Sequence, residues 1–321
     1  MTIKVAVVGA GVMGRHHANN YAALPGAQLV ALVDSHEASR VEIETIYGLP
    51  CYNSLDALLA NKDVDAVSVA APTSHHYALA KQLLEAGIHV LVEKPVATDV
   101  RQARSLIKLS QERGLVLQVG HITRFYEAVQ LLQKAVKNPY LIEARRLSPH
   151  ARIQDVGVIL DLMIHDIDIV LSLVAAKPKH IAVAGHSLSD SHFEDVAAAQ
   201  IVFENGCIAR LLASRVAPDA ERTFVVSERH QTHRLDFARD PHTEVKVFRP
   251  VGGVGAKHVQ VDMHSIDEDN PLRRELEHFL LRIRNDAQPI GTPEDDLRAL
   301  GLATELIARL EPSPKPERVL E

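Results

Sequence analysis

The sequence predicts an α/β protein in two parts: a doubly wound parallel sheet, then an α/β domain with a large, mainly antiparallel open sheet. The first 121 residues alternate short apolar strands with helical segments at the spacing of βαβ units. The first strand runs directly into a glycine-rich turn. Beyond residue 121 the strands follow one another with little helix between them, which calls for antiparallel pairing. The expected division is residues 1–121 for the first domain and 122–321 for the second, which ends in helices.

Ile3 to Val8 is a nearly continuous apolar run, as a parallel strand buried on both faces requires. It enters Gly9-Ala10-Gly11-Val12-Met13-Gly14, a complete GxGxxG, and then Arg15 to Ala23, which can be helical. Gly9 permits the tight turn, Gly11 lets backbone approach a pyrophosphate, and Gly14 lets helix and strand pack closely. A second strand, Gln28 to Val33, ends in Asp34, about twenty residues past the last glycine, so the context this motif needs is present. Gly9, Gly11, Val12, Met13, Gly14 and Asp34 are thereby assigned to a dinucleotide, and the domain reads as a Rossmann fold. Asp34 is placed to accept bonds from ribose hydroxyls, and its charge would repel a 2′-phosphate, which favours NAD over NADP. Arg40, in a following helical segment, is the nearest cation that argues the other way.

Ser54 caps a helix to Ala60, Asp65 to Ala70 is a strand, and Pro72-Thr73-Ser74 opens a helix ending near Gly87. Ile88 to Val92 is the next strand and Glu93-Lys94-Pro95 follows it. Asp99 with Gln102 forms a capping-box pattern for a helix that stops at Gly114, and Leu115 to Val119 is a further strand. Ligands of such a sheet bind at the carboxyl ends of its strands. Pro72, Thr73, His76, Glu93 and Lys94 all fall there and join the candidate cofactor residues.

In the second part Tyr140 to Arg146, Ile181 to His186, Val196 to Phe203, Cys207 to Ser214, Thr223 to Ser227, His233 to Phe237 and Glu244 to Phe248 read as strands. Asn205-Gly206 between two of them is a strong hairpin signal. Gly252 to Asp269 reads as a loop, Pro271 to Ile283 and Asp295 to Leu310 as helices, and Pro312 to Pro316 as a solvated tail. An open antiparallel sheet leaves one face for a partner, so a homodimer or homotetramer is expected.

The 321 residues are 46% hydrophobic and carry a formal charge of −6, a globular composition without the basic footprint of a nucleic-acid or anionic-membrane binder. Cys51 and Cys207 form no CxxC pair, and the chain opens without a signal-peptide pattern or a membrane-length apolar run. A soluble cytoplasmic protein is expected.

Asp161-Leu162-Met163-Ile164-His165-Asp166-Ile167-Asp168 places a carboxylate and an imidazole four residues apart. On a helix that spacing stacks them on one face, as a base and its orienting partner would need. The same octet is also compatible with an amphipathic helix whose histidine merely packs. Eighteen histidines, with pairs at His16-His17 and His75-His76, raise the question of a metal, but no third ligand has the spacing to join Asp161 and His165. No metal site is assigned.

Together GAGVMG with Asp34, Pro-Thr-Ser-His-His, Glu93-Lys94-Pro95, the passage Gly120-His121 to Arg124-Phe125, and Asp161 to His165 resemble the Gfo/Idh/MocA family of sugar and polyol oxidoreductases, in order along nearly the whole chain. That resemblance implies a nicotinamide-binding first domain, a substrate-binding and oligomerising second domain, and Lys94, Asp161 and His165 as catalytic positions that also touch substrate. An imidazole, with a pKa of about 6.5, suits removal of a hydroxyl proton. Lys94 would polarise the reacting oxygen, and the choice between Lys94 and His165 as proton acceptor stays open. Many family members carry two or three glycines before the Asp-x-x-x-His segment; here Asp155-Val156-Gly157-Val158 keeps one. With Arg146 to Pro149, Arg152 and Asn270 to Leu276, this resembles the branch that oxidises C3 of UDP-N-acetylglucosamine, whose 3-keto product feeds 3-amino-sugar lipid A synthesis. Arg124 and Arg152, with Arg145 and Arg146, would then be available to the diphosphate or uridine. Each arginine suits a surface ion pair equally well. The alternatives are a dehydrogenase of free sugars or inositol-like polyols, and a non-catalytic NAD- or sugar-binding protein.

Overall fold

The computed structural model describes residues 2–61, 63–149, 155–188, 192–237, 243–252, 254, 257–266 and 270–311. The chain divides into two compact units, Met1–Phe125 with Pro271–Leu297, and Tyr126–Asn270 with Arg298–Glu321.

The first unit holds six parallel strands, β1 Ile3–Val8, β2 Ala27–Val33, β3 Cys51–Tyr52, β4 Ala66–Val69, β5 His89–Glu93 and β6 Leu117–Gly120, in the order β3-β2-β1-β4-β5-β6. Their connections are helices α1 Val12–Ala23, α2 Glu37–Tyr47, α3 Leu55–Asn61, α4 Thr73–Glu85 and α5 Val100–Glu112. This is the Rossmann order, with the direction of winding reversing between β1 and β4. The expected caps form: Ser54 Oγ accepts from the Ala57 N–H at 3.2 Å, and Asp99 Oδ1 from the Arg101 N–H at 2.6 Å. Strand β3 is too short to show a hydrophobic period, and the sequence did not reveal it.

Helix α8, Pro271–Ile283, belongs to this first unit and corrects the expected boundary. Leu272, Leu276, Phe279 and Leu280 lie on one helical face and share the core of Ile3, Val5, Tyr21, Leu29 and Leu32. Periodicity shows that a helix has an apolar face, not which core the face enters. The boundary also falls after Phe125, and a second crossing lies inside α9, Pro293–Ala308.

The second unit opens with α6, Glu127–Ala135, a helix where little helix was expected. Its eight strands are β7 Leu141–Leu147, β8 Pro178–His186, β9 Val196–Phe203, β10 Ile208–Ser214, β11 Glu221–Glu228, β12 Gln231–Asp236, β13 Thr243–Pro250 and β14 Val259–Ile266. They run in the order β14-β13-β12-β11-β7-β10-β9-β8, and β7 with β10 is the one parallel pair among them. Burial alternates along β9, so one face of the sheet is covered and the other open. The β9–β10 hairpin turns at Gly206, whose φ of 85° needs glycine, and whose N–H donates to the Phe203 carbonyl at 2.9 Å.

Strand β14 occupies part of the stretch expected to be a loop. It pairs with β13 along its length, and Val259, Val261 and Met263 alternate with Gln260, Asp262 and His264, a period-two signal present in the sequence although these apolar side chains stay exposed. Between the two ends of this sheet's chain segment, α7, Ile164–Leu173, is buried from Ile164 to Leu171. Among the described residues no helix is long and apolar enough to cross a membrane. Burial pushes the free thiols of Cys51 and Cys207 up to about 11, which leaves them unreactive at neutral pH.

Candidate active site

The turn after β1 is shaped by contacts that only glycine allows. Gly9 has φ 94°, and a Cβ there would stand 2.5 Å from the Ala70 carbonyl oxygen at the end of β4. A Cβ on Gly14 would stand 1.7 Å from the Gly9 oxygen. Gly11 differs: nothing lies within 4 Å of its Cβ position, and the space above the turn is open. Gly11 is also the N-cap of α1 and supplies no side-chain cap, which leaves the first N–H groups of the helix for an anion. Val12 is exposed beside it and Met13 half-buried. These features fit a bound pyrophosphate.

Asp34, at the end of β2, is fixed by two backbone donors. Its Oδ2 accepts from the Ala10 N–H at 2.7 Å and its Oδ1 from the His36 N–H at 2.8 Å. A carboxylate oxygen accepts more than one bond, so lone pairs are left for ribose hydroxyls. Arg40 folds back onto the strand end, its Nη1 donating to the carbonyls of Asp34 at 3.0 Å and Ser35 at 2.8 Å.

Glu93 and Lys94 leave β5 together, Lys94 half-buried and its peptide bond to Pro95 cis. The His17 Nε2–H donates to Glu93 Oε1 at 2.9 Å. Burial pushes the Glu93 carboxyl up, but the bond and charge of His17, with the charges of Lys94 and His76, outweigh it and hold the carboxyl below its ordinary value. Glu275 on α8 is the contrasting acid. It is wholly buried, neither oxygen has a hydrogen-bond partner, and burial with the nearby Glu93 charge drives its carboxyl well above the ordinary range against the pull of Arg124. The two neighbouring acids are thus pushed in opposite directions, Glu93 toward its charged form and Glu275 toward its neutral one. Sequence reasoning did not single out Glu275, whose spacing is that of any polar residue on an amphipathic helix.

Pro72 and Thr73 open α4 at the end of β4, Pro72 exposed and Thr73 buried. His76, expected near the nicotinamide, packs between two strand-end turns. It is 1% exposed, and its two ring nitrogens lie 2.8 Å from the carbonyl oxygens of Pro95 and Ala71. The ring is a strut between the turns after β4 and β5, with both nitrogens engaged by backbone.

Arg124 has protein partners. Its guanidinium, offered to a diphosphate in the sequence reading, pairs with Asp296 at 2.8 Å and reaches the Ile290 carbonyl at 3.4 Å, inside the first unit. The side chain is 9% exposed, and a Cβ on Gly291 would lie 2.2 Å from its Nη1, so the guanidinium packs directly against that glycine. Arg145 and Arg146 are likewise committed, to Glu221 at 2.9 Å and Asp166 at 2.7 Å. Arg152 lies outside the described residues.

In the second unit Asp161 and His165 are both buried, 8% and 9% exposed. The regular α-helix expected through the octet is replaced at its start by a π-helical turn, Ile159–Met163, in which the Ile164 N–H reaches back five residues to the Ile159 carbonyl. Asp161 stands in that turn and His165 in the first turn of α7. Such local widenings of a helix often accompany functional residues.

Asp166 faces Arg146 on β7, which donates from Nε at 3.1 Å and Nη2 at 2.7 Å. The lead-in is held by a second pair, Arg215 with Asp195 at 2.6 Å, both side chains 4% exposed, while Arg215 Nη1 donates to the Val156 carbonyl at 2.9 Å. Glu194 completes the support: its Oε1 accepts from the Ile159 N–H at 2.9 Å. None of these partners was visible in sequence, because each comes from a strand or loop 20 or more residues away.

Among the described residues no group of three His, Cys, Asp or Glu side chains could hold a metal ion. The arrangement offers a dinucleotide cradle and a half-buried ammonium in one unit, and a buried carboxylate and imidazole in the other.

Residues 3–121 match the GFO/IDH/MocA oxidoreductase family with its NAD-binding Rossmann fold, and residues 132–232 match the GFO/IDH/MocA C-terminal domain. The chain is 37% identical over 283 residues to the UDP-N-acetylglucosamine 3-dehydrogenase of Acidithiobacillus ferrooxidans, covering 87% of this chain and 88% of that one. A solved structure of that enzyme matches with a TM-score of 0.87 and 33% identity, over 97% of this chain and 98% of the other. The inositol 2-dehydrogenase of Rhizobium meliloti is 24% identical over 318 residues, 94% of this chain and 95% of that one.

Proposed function

The chain belongs to the Gfo/Idh/MocA oxidoreductases and carries their NAD-binding Rossmann domain, and from that premise we propose that it oxidises the C3 hydroxyl of UDP-N-acetylglucosamine to the 3-keto nucleotide sugar with NAD. The observation that carries the choice of substrate is the 37% identity, over 87% of the chain, to an enzyme named for that reaction.

NAD, when bound, supplies the nicotinamide ring that takes hydride from the sugar carbon. The residues that would hold it are Gly9 to Gly14 at the pyrophosphate, Asp34 at the ribose hydroxyls, and the turns of Pro72-Thr73 and Glu93-Lys94. His165 takes the hydroxyl proton as the carbon–oxygen double bond forms, and Asp161, one turn earlier, orients the ring or a neighbouring hydroxyl. Lys94 donates to the reacting oxygen and stabilises its developing negative charge. In this reading the product is consumed by an aminotransferase on the way to a 3-amino-sugar lipid A, and the enzyme works in the cytoplasm as a homodimer or homotetramer.

The test is reduction of NAD, followed at the reduced-cofactor absorbance band, with UDP-N-acetylglucosamine against free N-acetylglucosamine and inositol. The nucleotide sugar should exceed the others in kcat/KM by about 100-fold or more, because the free compounds lack the groups that a nucleotide subsite would engage. Turnover of the free compounds alone would overturn the substrate. His165→Ala should lower kcat by about 10²–10⁴-fold; full activity in that variant would remove His165 from the role of base.

A further inference from the structure

We propose that Glu194 is a positioning residue for the helix bearing Asp161 and His165, acting through the backbone at Val158 and Ile159. The inference rests on the reading of those two side chains as catalytic.

Glu194 meets the start of the helix twice. Its carbonyl accepts from the Val158 N–H at 3.1 Å, and its side-chain Oε1 accepts from the Ile159 N–H at 2.9 Å. Two of the donors that a helix leaves open at its amino end are therefore satisfied by one residue. A carboxylate at that end also complements the helix dipole. The contact is close enough that a side chain opposite would displace the carboxylate. A Cβ on Gly157 would fall 2.0 Å from Glu194 Oε2 and 2.2 Å from Oε1, so the carboxylate occupies the place of a side chain. Gly157 does not have the positive φ that would demand glycine for conformational reasons. To admit a Cβ there, the acid across from it would have to leave its place.

The neighbouring residue closes the grip. Asp195 pairs with Arg215, and Arg215 holds the Val156 carbonyl at 2.9 Å. The dipeptide Glu194-Asp195 thus fixes the backbone on both sides of Gly157, the carbonyl before it through Arg215 and the amides after it directly. Asp161 lies two residues beyond Ile159, and His165 four residues beyond Asp161. From Ile164 to Leu171 the helix is buried on every face, so a shift at its entry is carried along it instead of being absorbed by loose packing. A displacement of about 1 Å at a reacting group costs on the order of 10²-fold in rate.

A plain helix cap would change stability alone. Positioning predicts a loss in kcat at unchanged cofactor binding, rescue by an isosteric acceptor, and coupling to Gly157. Steady-state kinetics with NAD and UDP-N-acetylglucosamine, NADH binding by fluorescence and Tm should be measured for Glu194→Ala, Glu194→Gln, Gly157→Ala and the Gly157→Ala/Glu194→Ala double variant. Glu194→Ala and Gly157→Ala should each lower kcat by about tenfold or more, with NADH affinity unchanged. Glu194→Gln keeps an oxygen for the Ile159 N–H and should stay within about threefold of the parent. In the double variant the added methyl enters the vacated space, so kcat should fall no more than about twofold below Glu194→Ala, a non-additive result.

Parental kcat in Glu194→Ala, or losses that multiply in the double variant, would overturn the proposal. If Glu194→Ala does not fold, Gly157→Ala decides: reduced kcat with intact NADH binding supports positioning, and parental kcat overturns it. His165→Ala separates the two layers. Full activity there removes the reading of the site, whereas an inactive His165→Ala beside a fully active Glu194→Ala removes the positioning role alone.

Discussion

In the first unit the nucleotide cradle is shaped by glycines that let backbone touch backbone, whereas in the second the helix bearing Asp161 and His165 is fixed by buried charges. Gly9 lies against Ala70 and Gly14 against Gly9, contacts set by steric exclusion. Arg146–Asp166 and Arg215–Asp195 hold the helix and its lead-in by charge-assisted bonds largely taken out of water, and half-buried Glu194 adds a charge-assisted bond at the helix start. Steric closeness is indifferent to pH. Buried charge acts between distant segments, and its desolvation cost makes the loss of one partner worse than the loss of both.

The largest effect should come from Gly14→Ala, whose Cβ at 1.7 Å from a backbone oxygen has no room to relax. A loss of more than about 4 kcal/mol is expected, read as failure to fold or to bind NADH. A stable, NADH-binding variant would break the steric half of the comparison. Asp195→Ala, which strands the Arg215 guanidinium, should cost about 3–5 kcal/mol by denaturant unfolding, and Asp195→Leu with Arg215→Met clearly less. A cost below about 1 kcal/mol for the single change would break the other half.

Glu275 sharpens the contrast, because it is a buried acid whose carboxylate oxygens have no hydrogen-bond partner, in the unit whose nucleotide cradle is shaped by sterics. Its folded carboxyl titrates above the unfolded value of about 4.3, so as pH rises past that point the unfolded chain releases a proton that the folded chain keeps. Stability contributed by this group therefore falls with rising pH, by up to about 1.4 kcal/mol per unit, until the folded carboxyl ionises. Glu275→Gln should flatten the decline in unfolding free energy as pH rises above the unfolded carboxyl value of about 4.3. Any constant cost of the buried amide cancels in that difference, and an unchanged slope would count against a neutral Glu275.

The smallest effect on stability belongs to Gly11→Ala. Gly11 has φ −67° and ψ −167°, open to alanine, and free space at its Cβ position. Unfolding free energy should stay within about 0.5 kcal/mol of the parent, while NADH affinity falls because the methyl enters the cradle. Unaltered affinity would show that the open space is not the cofactor's.

How much of this was legible follows the same divide. GAGVMG, Asp34 and Glu93-Lys94 could be read directly, since a tight turn and a strand end are specified by residues adjacent in the chain. Asp161 and His165 could be read as a pair, but not the π-helical turn between them, which depends on what grips the segment from outside. Arg146 and Arg124 looked available for a ligand because a sequence lists cations without their partners; Asp166 and Asp296 had already taken them. Glu194 carries no motif at all. The one trace it left was the single glycine at 157, whose meaning needed the acid opposite.

Helix α8 has a consequence for how the molecule is made. The chain leaves the first unit at Phe125 and returns to it at Pro271. On a ribosome, the apolar surface that Leu272, Leu276, Phe279 and Leu280 will cover is therefore synthesised long before its cover exists, and 145 residues of another folding unit, Tyr126–Asn270, emerge in between. A fragment cut at the sequence's own apparent border, after residue 121, would keep every glycine of the cradle and lack the lid of its core. It should surface as a chaperone client rather than as a miniature NAD-binding protein.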